Sequence, residues 1–160
     1  VAGTTGGGCR AEAIEIKLVY KNREVDCGGA AYIDLSATAA TGTNIVNYAR
    51  QYIDKTPYVW GGNSLETGAD CSGFICCVYE HYRINLWNNR VSLRYEGTNI
   101  GTDMSKAKVG DIIDYGSHVA IYSGNGNVVH CSSSRGTVKE IPNSWMGMTV
   151  QRIIRIPGVG

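Results

Sequence analysis

The sequence predicts an α+β domain, helical in its first half and antiparallel in its second. Helical spacing of apolar residues recurs over 43–53 and over 71–83. Short alternating segments then begin at Asp111, and Gly124-Asn125-Gly126 separates two of them as a hairpin turn. At 160 residues the chain can bury one proper core but not two large ones.

Residues 1–40 read as an adjunct segment or the remnant of a preceding domain, and residues 41–160 as the main domain. In the first part, Ala13–Tyr20 alternates Ile14, Ile16 and Leu18 against Glu15 and Lys17, the pattern of a half-buried strand; Ala31–Leu35 is a weaker one. Cys9 and Cys27 flank the first strand and either pair in an oxidising compartment or stay two unpaired thiols. Ser36–Gly42 is a small-residue linker.

In the main domain, Thr43 is placed to cap a helix carrying Ile45, Ala49, Tyr52 and Ile53, ended by Pro57. Asp70 is the natural N-cap of a second helix, Cys71–Arg83, with Phe74, Ile75, Val78 and Tyr82 on one face. Leu86–Asp103 reads as a loop with a short helix. Strands are expected at Asp111–Tyr115, His118–Ser123 and Asn127–Ser132, with Thr149–Ile156 as a last one.

Composition excludes some functions. Fifteen basic against fourteen acidic residues leave a net charge of +1, which offers no footprint for nucleic acid. No apolar run approaches the roughly 20 residues that span a bilayer. No initiator Met or signal-peptide pattern is visible, so the cellular address is not readable from leader chemistry. The cysteine spacing resembles no zinc knuckle; no metal or other cofactor is expected, and the chain is expected to be a monomer.

Chemistry concentrates at Cys71. A cysteine at a helix N-terminus meets the positive end of the dipole and a set of unpaired amides, which favours thiolate and supplies oxyanion donors. Gly68, Asp70, Ser72 and Gly73 around it are wrong for a core. Cys76 and Cys77, inside the helix, suit the small-hydrophobe role of most buried cysteines.

A thiol nucleophile needs a base, and the base an orienter. His81 lies at the end of the Cys71 helix and reads as a surface residue. His118 and His130 lie on successive strands, so loop length decides whether they cooperate. A two-residue turn would pair Ile121 with His130 and put the two imidazoles on opposite faces. A three-residue loop, with Gly126 left-handed, pairs Ser123 with Asn127 and Ala120 with His130. The imidazoles then share a face as diagonal neighbours, roughly 7–8 Å apart at Cα. The second register is the expected one. His118 then takes the thiol proton, and His130 fixes the tautomer of His118.

Five blocks now line up in order: Tyr58-Val59-Trp60-Gly61-Gly62; Gly68-Ala69-Asp70-Cys71-Ser72-Gly73-Phe74; Gly110-Asp111-Ile112-Ile113; His118-Val119-Ala120-Ile121-Tyr122; and Val128-Val129-His130. Together they resemble the NlpC-type (NlpC/p-sixty) family of bacterial cell-wall cysteine endopeptidases over about Asn44 to Ile156. The resemblance implies a papain-like fold in which helices carrying the nucleophile pack on an antiparallel sheet carrying both histidines. It implies hydrolysis of peptidoglycan stem peptides, most often between γ-D-glutamate and a diamino acid, outside the cell or in its wall. Carried over by position, Cys71 is the nucleophile, His118 the base and His130 the third residue. Tyr58 supports the oxyanion and, with Asp70, Ser72, Trp60 and Arg90, contacts substrate. Tyr58 and Trp60 could instead be core aromatics and Asp70 a helix cap.

Departures touch the groove walls. Asn88-Asn89-Arg90-Val91-Ser92 keeps an Arg-x-Ser without the family's preceding proline, the link from Ile113 to His118 is short, and Cys131 replaces a common alanine. The rival activity is an N-acetylmuramoyl-L-alanine amidase; the rival from another class is a non-catalytic wall-binding or structural module of a phage tail or transfer apparatus. Phage lysis, phage entry, conjugation and wall remodelling all remain open as settings, as does the preferred diamino acid.

Overall fold

The computed structural model describes residues 39–159. The expected strands at Ala13–Tyr20 and Ala31–Leu35, the Cys9–Cys27 pairing and the adjunct segment therefore lie outside the described residues, except for the last two positions of that segment.

Among the described residues, two α-helices precede a six-stranded sheet. Helix α1 spans Gly42–Arg50 and α2 spans Cys71–His81, with a two-stranded ribbon, β1 (Asn63–Ser64) and β2 (Gly68–Ala69), between them. The main sheet contains β3 (Thr98–Gly101), β4 (Ile112–Asp114), β5 (Val119–Gly124), β6 (Asn127–Ser132), β7 (Thr137–Pro142) and β8 (Arg152–Arg155). Its order is β3-β8-β4-β5-β6-β7, with every neighbour antiparallel. Among the described residues no helix is long and apolar enough to cross a membrane.

Capping chemistry fixes both helix starts. Thr41, not Thr43, caps α1: its hydroxyl accepts from the Asn44 N–H at 3.2 Å. The shift has a packing cause, because Gly42 lies where an added Cβ would sit 1.8 Å from the Val109 carbonyl. The first turn of α1 thus presses against the loop before β4, and only glycine permits the approach. The helix also ends earlier than expected, at Arg50, well before Pro57. Asp70 caps α2 as expected, accepting from the Gly73 N–H at 2.7 Å.

The face of α2 bearing Phe74, Ile75, Val78 and Tyr79 is buried against Ile112, Ile121, Val129 and Ile154 of the sheet. Each such side chain contributes about 1.5–3 kcal/mol of burial. The Tyr79 hydroxyl donates to the Gly110 carbonyl, anchoring the helix to the strand that carries the next motif. The opposite face of the sheet holds a smaller cluster of Ile113, Ala120, Val128, Ile141 and Ile153.

The short helix expected within Leu86–Asp103 is a kinked 3₁₀ run over 87–95, whereas Thr98–Gly101 in the same stretch is an edge strand paired with β8. Strand β7 was not expected; its register with β6 pairs His130 with Lys139 and Cys131 with Val138.

Candidate active site

The β5–β6 hairpin combines both loop geometries. Asn125 and Gly126 form a two-residue turn with positive φ at each (52° and 76°), closed by Gly124 opposite Asn127. A register shift between Tyr122 and Gly124 adds one residue to β5. Beyond this bulge Ile121 faces Val129, which places Ala120 opposite His130, the register expected for the longer loop. His118 and His130 consequently share a face, and His118 Nε2 lies 2.8 Å from His130 Nδ1. The imidazole planes are nearly perpendicular, at 89°.

Cys71 meets this pair at the end of the sheet. Backbone N–H groups of Val119, the residue after His118, and of Cys71 and Ser72 at the start of α2 lie near its sulfur. These donors favour thiolate, as the helix position suggested. Burial works the other way and is the larger effect, with the Asp70 charge adding to it, so the thiol stays above its ordinary pKa. The resting pair is therefore a neutral thiol beside a neutral imidazole. Burial also lowers His118, and burial, then His118 and Arg135, lower His130 to about 4.

A cleft of about 410 Å³ gathers Cys71 and His118 with Tyr58, Trp60, Asp70, Ser72 and Arg90. His130 stands behind His118 and faces a separate cavity. Tyr58 is held by its N–H on the Gly136 carbonyl at 2.8 Å and by a bridge to Ala69. Its half-buried phenol is raised by desolvation and then by the nearby Cys71 and Asp70. Trp60 is 88% exposed, which removes the core reading and leaves it on the cleft rim.

Asp70 does more than cap. One carboxylate oxygen accepts from Gly73 N–H and the Ser72 hydroxyl (2.9 Å), the other from Gly61 N–H (3.1 Å) and Arg90 (2.8 Å). Burial opposes its charge, but these hydrogen bonds and the guanidinium together hold its pKa below the usual value. Arg90 also donates to the Gly62 carbonyl at 2.6 Å and lies 5.6 Å over the Trp87 ring. Asp70, Ser72 and Arg90 thus form one network in which all four carboxylate acceptor sites are used.

Among the described residues, the other thiols are structural. Cys76 is fully buried, Cys77 donates to the Asn63 carbonyl (3.2 Å), and Cys131 donates to that of Ala69 (3.1 Å). His81 is exposed and stacks on Tyr48, ring centroids 3.8 Å apart.

Several cleft residues escaped the sequence: the Val119 N–H, Val91, Ser133 and Met148. The polar run Ser132-Ser133-Ser134-Arg135-Gly136 signals a turn, but only the Pro57–Thr137 bridge shows that this turn abuts the cleft.

Residues 55–155 match the NlpC/P60 family. The chain belongs to the NlpC/P60 family. Its relatives include the γ-DL-glutamyl hydrolase of Bacillus subtilis, 38% identical over 97 residues, covering 58% of this chain and 23% of that protein. A γ-D-glutamyl-L-lysine dipeptidyl-peptidase of Bacillus cereus is 31% identical over 107 residues, covering 62% of this chain and 31% of that one. The chain therefore spans about a quarter to a third of these relatives' length. The crystal structure of the NlpC/p60 domain of the peptidoglycan hydrolase SagA superposes with a TM-score of 0.63 and 34% identity, over 72% of this chain and 99% of that one. The papain-like α+β fold expected from the NlpC/P60 motifs is thus the fold observed.

Proposed function

We propose that this NlpC/P60 chain is a peptidoglycan hydrolase that cleaves stem peptides at the γ-D-glutamyl–diamino acid bond, with Cys71 as nucleophile. The observation that carries the chemistry is that His118 shares one cleft with Cys71 while its Nε2 lies 2.8 Å from His130 Nδ1. The bond is suggested by the γ-glutamyl cleavage in the names of both Bacillus relatives. Extracellular or cell-wall action follows from that substrate, and peptidoglycan stem peptides are the expected partner.

The mechanism follows from the resting state. His118 Nδ1 accepts the Cys71 proton as the sulfur attacks the γ-carbonyl, since His118 Nε2 is committed to His130. The tetrahedral oxyanion forms near the N–H of Cys71 and the Tyr58 hydroxyl, a placement worth about a hundred- to a thousand-fold per donor. His118 returns its proton to the leaving nitrogen, and the amine departs. Water, activated by the same imidazole, then hydrolyses the thioester. In this scheme Asp70, Ser72 and Arg90 shape the binding site for the stem-peptide end on the γ-D-glutamyl side, with Trp60 on its rim.

Wild type and Cys71→Ala would be incubated with purified stem peptides and the products read by mass spectrometry. Cleavage after γ-D-glutamate by the wild type alone is expected. A cut at the muramoyl–alanine bond would replace the reading with an amidase, and no cleavage by a folded wild type would leave a binding module.

A further inference from the structure

His130 is only 5% exposed, and its second nitrogen, Nε2, is buried without a hydrogen-bond partner among the described residues. The mechanism fixes what that atom carries. For His118 to accept a thiol proton at Nδ1, its Nε2–H must donate to His130 Nδ1, so His130 bears its own proton on Nε2. A buried donor left unsatisfied costs about 1–3 kcal/mol, so a partner is expected there.

His130 lines a cavity of about 120 Å³ together with His118, Ser133, Arg135, Trp145 and Met148. Arg135 has no acidic partner among the described residues. The 133–136 turn that carries it is closed by the Arg135 N–H on the Ser132 hydroxyl at 3.3 Å. The cavity thus combines a guanidinium, a buried imidazole N–H and a serine hydroxyl, with no acidic side chain on its wall. Such a donor-rich pocket is built for an anion, and its size suits a carboxylate.

Position indicates which carboxylate. The cavity shares His118, Ser133 and Met148 with the main cleft, whereas Asp70 and Arg90 line only the cleft. His118 delivers its proton to the leaving nitrogen, so the leaving half of a substrate lies on this side. Trp145 and Met148, 69% and 46% exposed, supply an apolar wall for an alkyl chain.

We propose that His130 and Arg135 form a carboxylate-binding subsite for the residue that follows the scissile bond. The assignment rests on the peptidase function proposed above, and it makes Arg135 a specificity residue.

Two measurements test it. In the first, sodium acetate is titrated into the Cys71→Ala chain while the His130 ring signals are followed by NMR. A saturable shift is expected, lost in the Cys71→Ala/Arg135→Gln chain; no shift, or one unaffected by Arg135→Gln, would overturn the anion site and leave a water-filled cavity. In the second, kcat/KM is compared for two stem peptides that differ only in whether the residue after the scissile bond has a free or an amidated carboxylate. Amidation is expected to cost the wild type about tenfold and Arg135→Gln almost nothing. Acetate binding without that discrimination would make the cavity a free-anion site and overturn the subsite. Cleavage of neither peptide would remove the peptidase reading and the subsite with it, while the acetate titration would still report whether an anion binds.

Discussion

His118 Nε2 and His130 Nδ1 stand 2.8 Å apart because one extra residue in β5, at the Tyr122–Gly124 bulge, brings the two imidazoles to the same face of the sheet. Side chains alternate along a strand, so a register shift of one would carry His130 to the opposite face.

Deletion of Gly124 should remove the bulge without moving the register, because Ser123 then faces Asn127 across the Asn125-Gly126 turn while Tyr122 still faces Val128. Circular dichroism should show a retained fold, and the product assay turnover close to that of the wild type. A loss comparable to that of His118→Ala would show that the bulge itself, and not the register, shapes the site.

The two imidazoles should contribute unequally. His118→Ala removes the proton carrier and should lower kcat by about 10²–10⁴. His130→Ala leaves the base but not its orientation, so a smaller loss is expected, partly recovered by His130→Asn. Single-turnover kinetics on stem peptides would measure both.

Resting-state protonation can be read directly. Burial holds the Cys71 thiol above its ordinary pKa, so alkylation by iodoacetamide should accelerate steadily up to and beyond pH 9, the ordinary thiol value. A rate already at its plateau near neutral pH would instead show a thiolate–imidazolium pair.

Acid sensitivity follows from His130. Its folded pKa, about 4, lies below the ordinary 6.5, so between these values the unfolded chain binds more protons. The stability is fully present above pH 6.5 and is lost as pH falls through about 4, by up to about 3 kcal/mol. Asp70, also depressed, adds a loss in the acid range below its unfolded pKa. Urea melts from pH 7 to pH 4 should show this slope, and His130→Gln should flatten it.

Gly73 fixes the loop over the start of α2. An added Cβ there would lie 2.1 Å from the Gly62 carbonyl and 3.0 Å from the Arg90 guanidinium. Gly73→Ala should therefore displace the 58–62 loop and cost about 1–3 kcal/mol of stability in denaturant melts, with reduced activity.

What the sequence determined by itself was local or repeated. Asp70 announces a helix cap, Phe74, Ile75 and Val78 a buried face, and Gly124-Asn125-Gly126 a hairpin, because each depends on neighbours within a few residues. The five ordered blocks also determined the family and pointed to Cys71, His118 and His130. Tertiary structure alone decided which distant groups meet. Strand β7 is amphipathic but short, and its turn reaches the cleft only through pairing with Pro57 and β6, contacts that no local pattern encodes. Arg90 lies in an irregular 3₁₀ run, so nothing in its spacing shows that it closes on Asp70. The hairpin was legible as a turn, yet its bulge combined two geometries that the sequence presented as alternatives. Burial is likewise a property of the packed molecule: it raises the Cys71 thiol against a helix terminus that, read alone, favours thiolate.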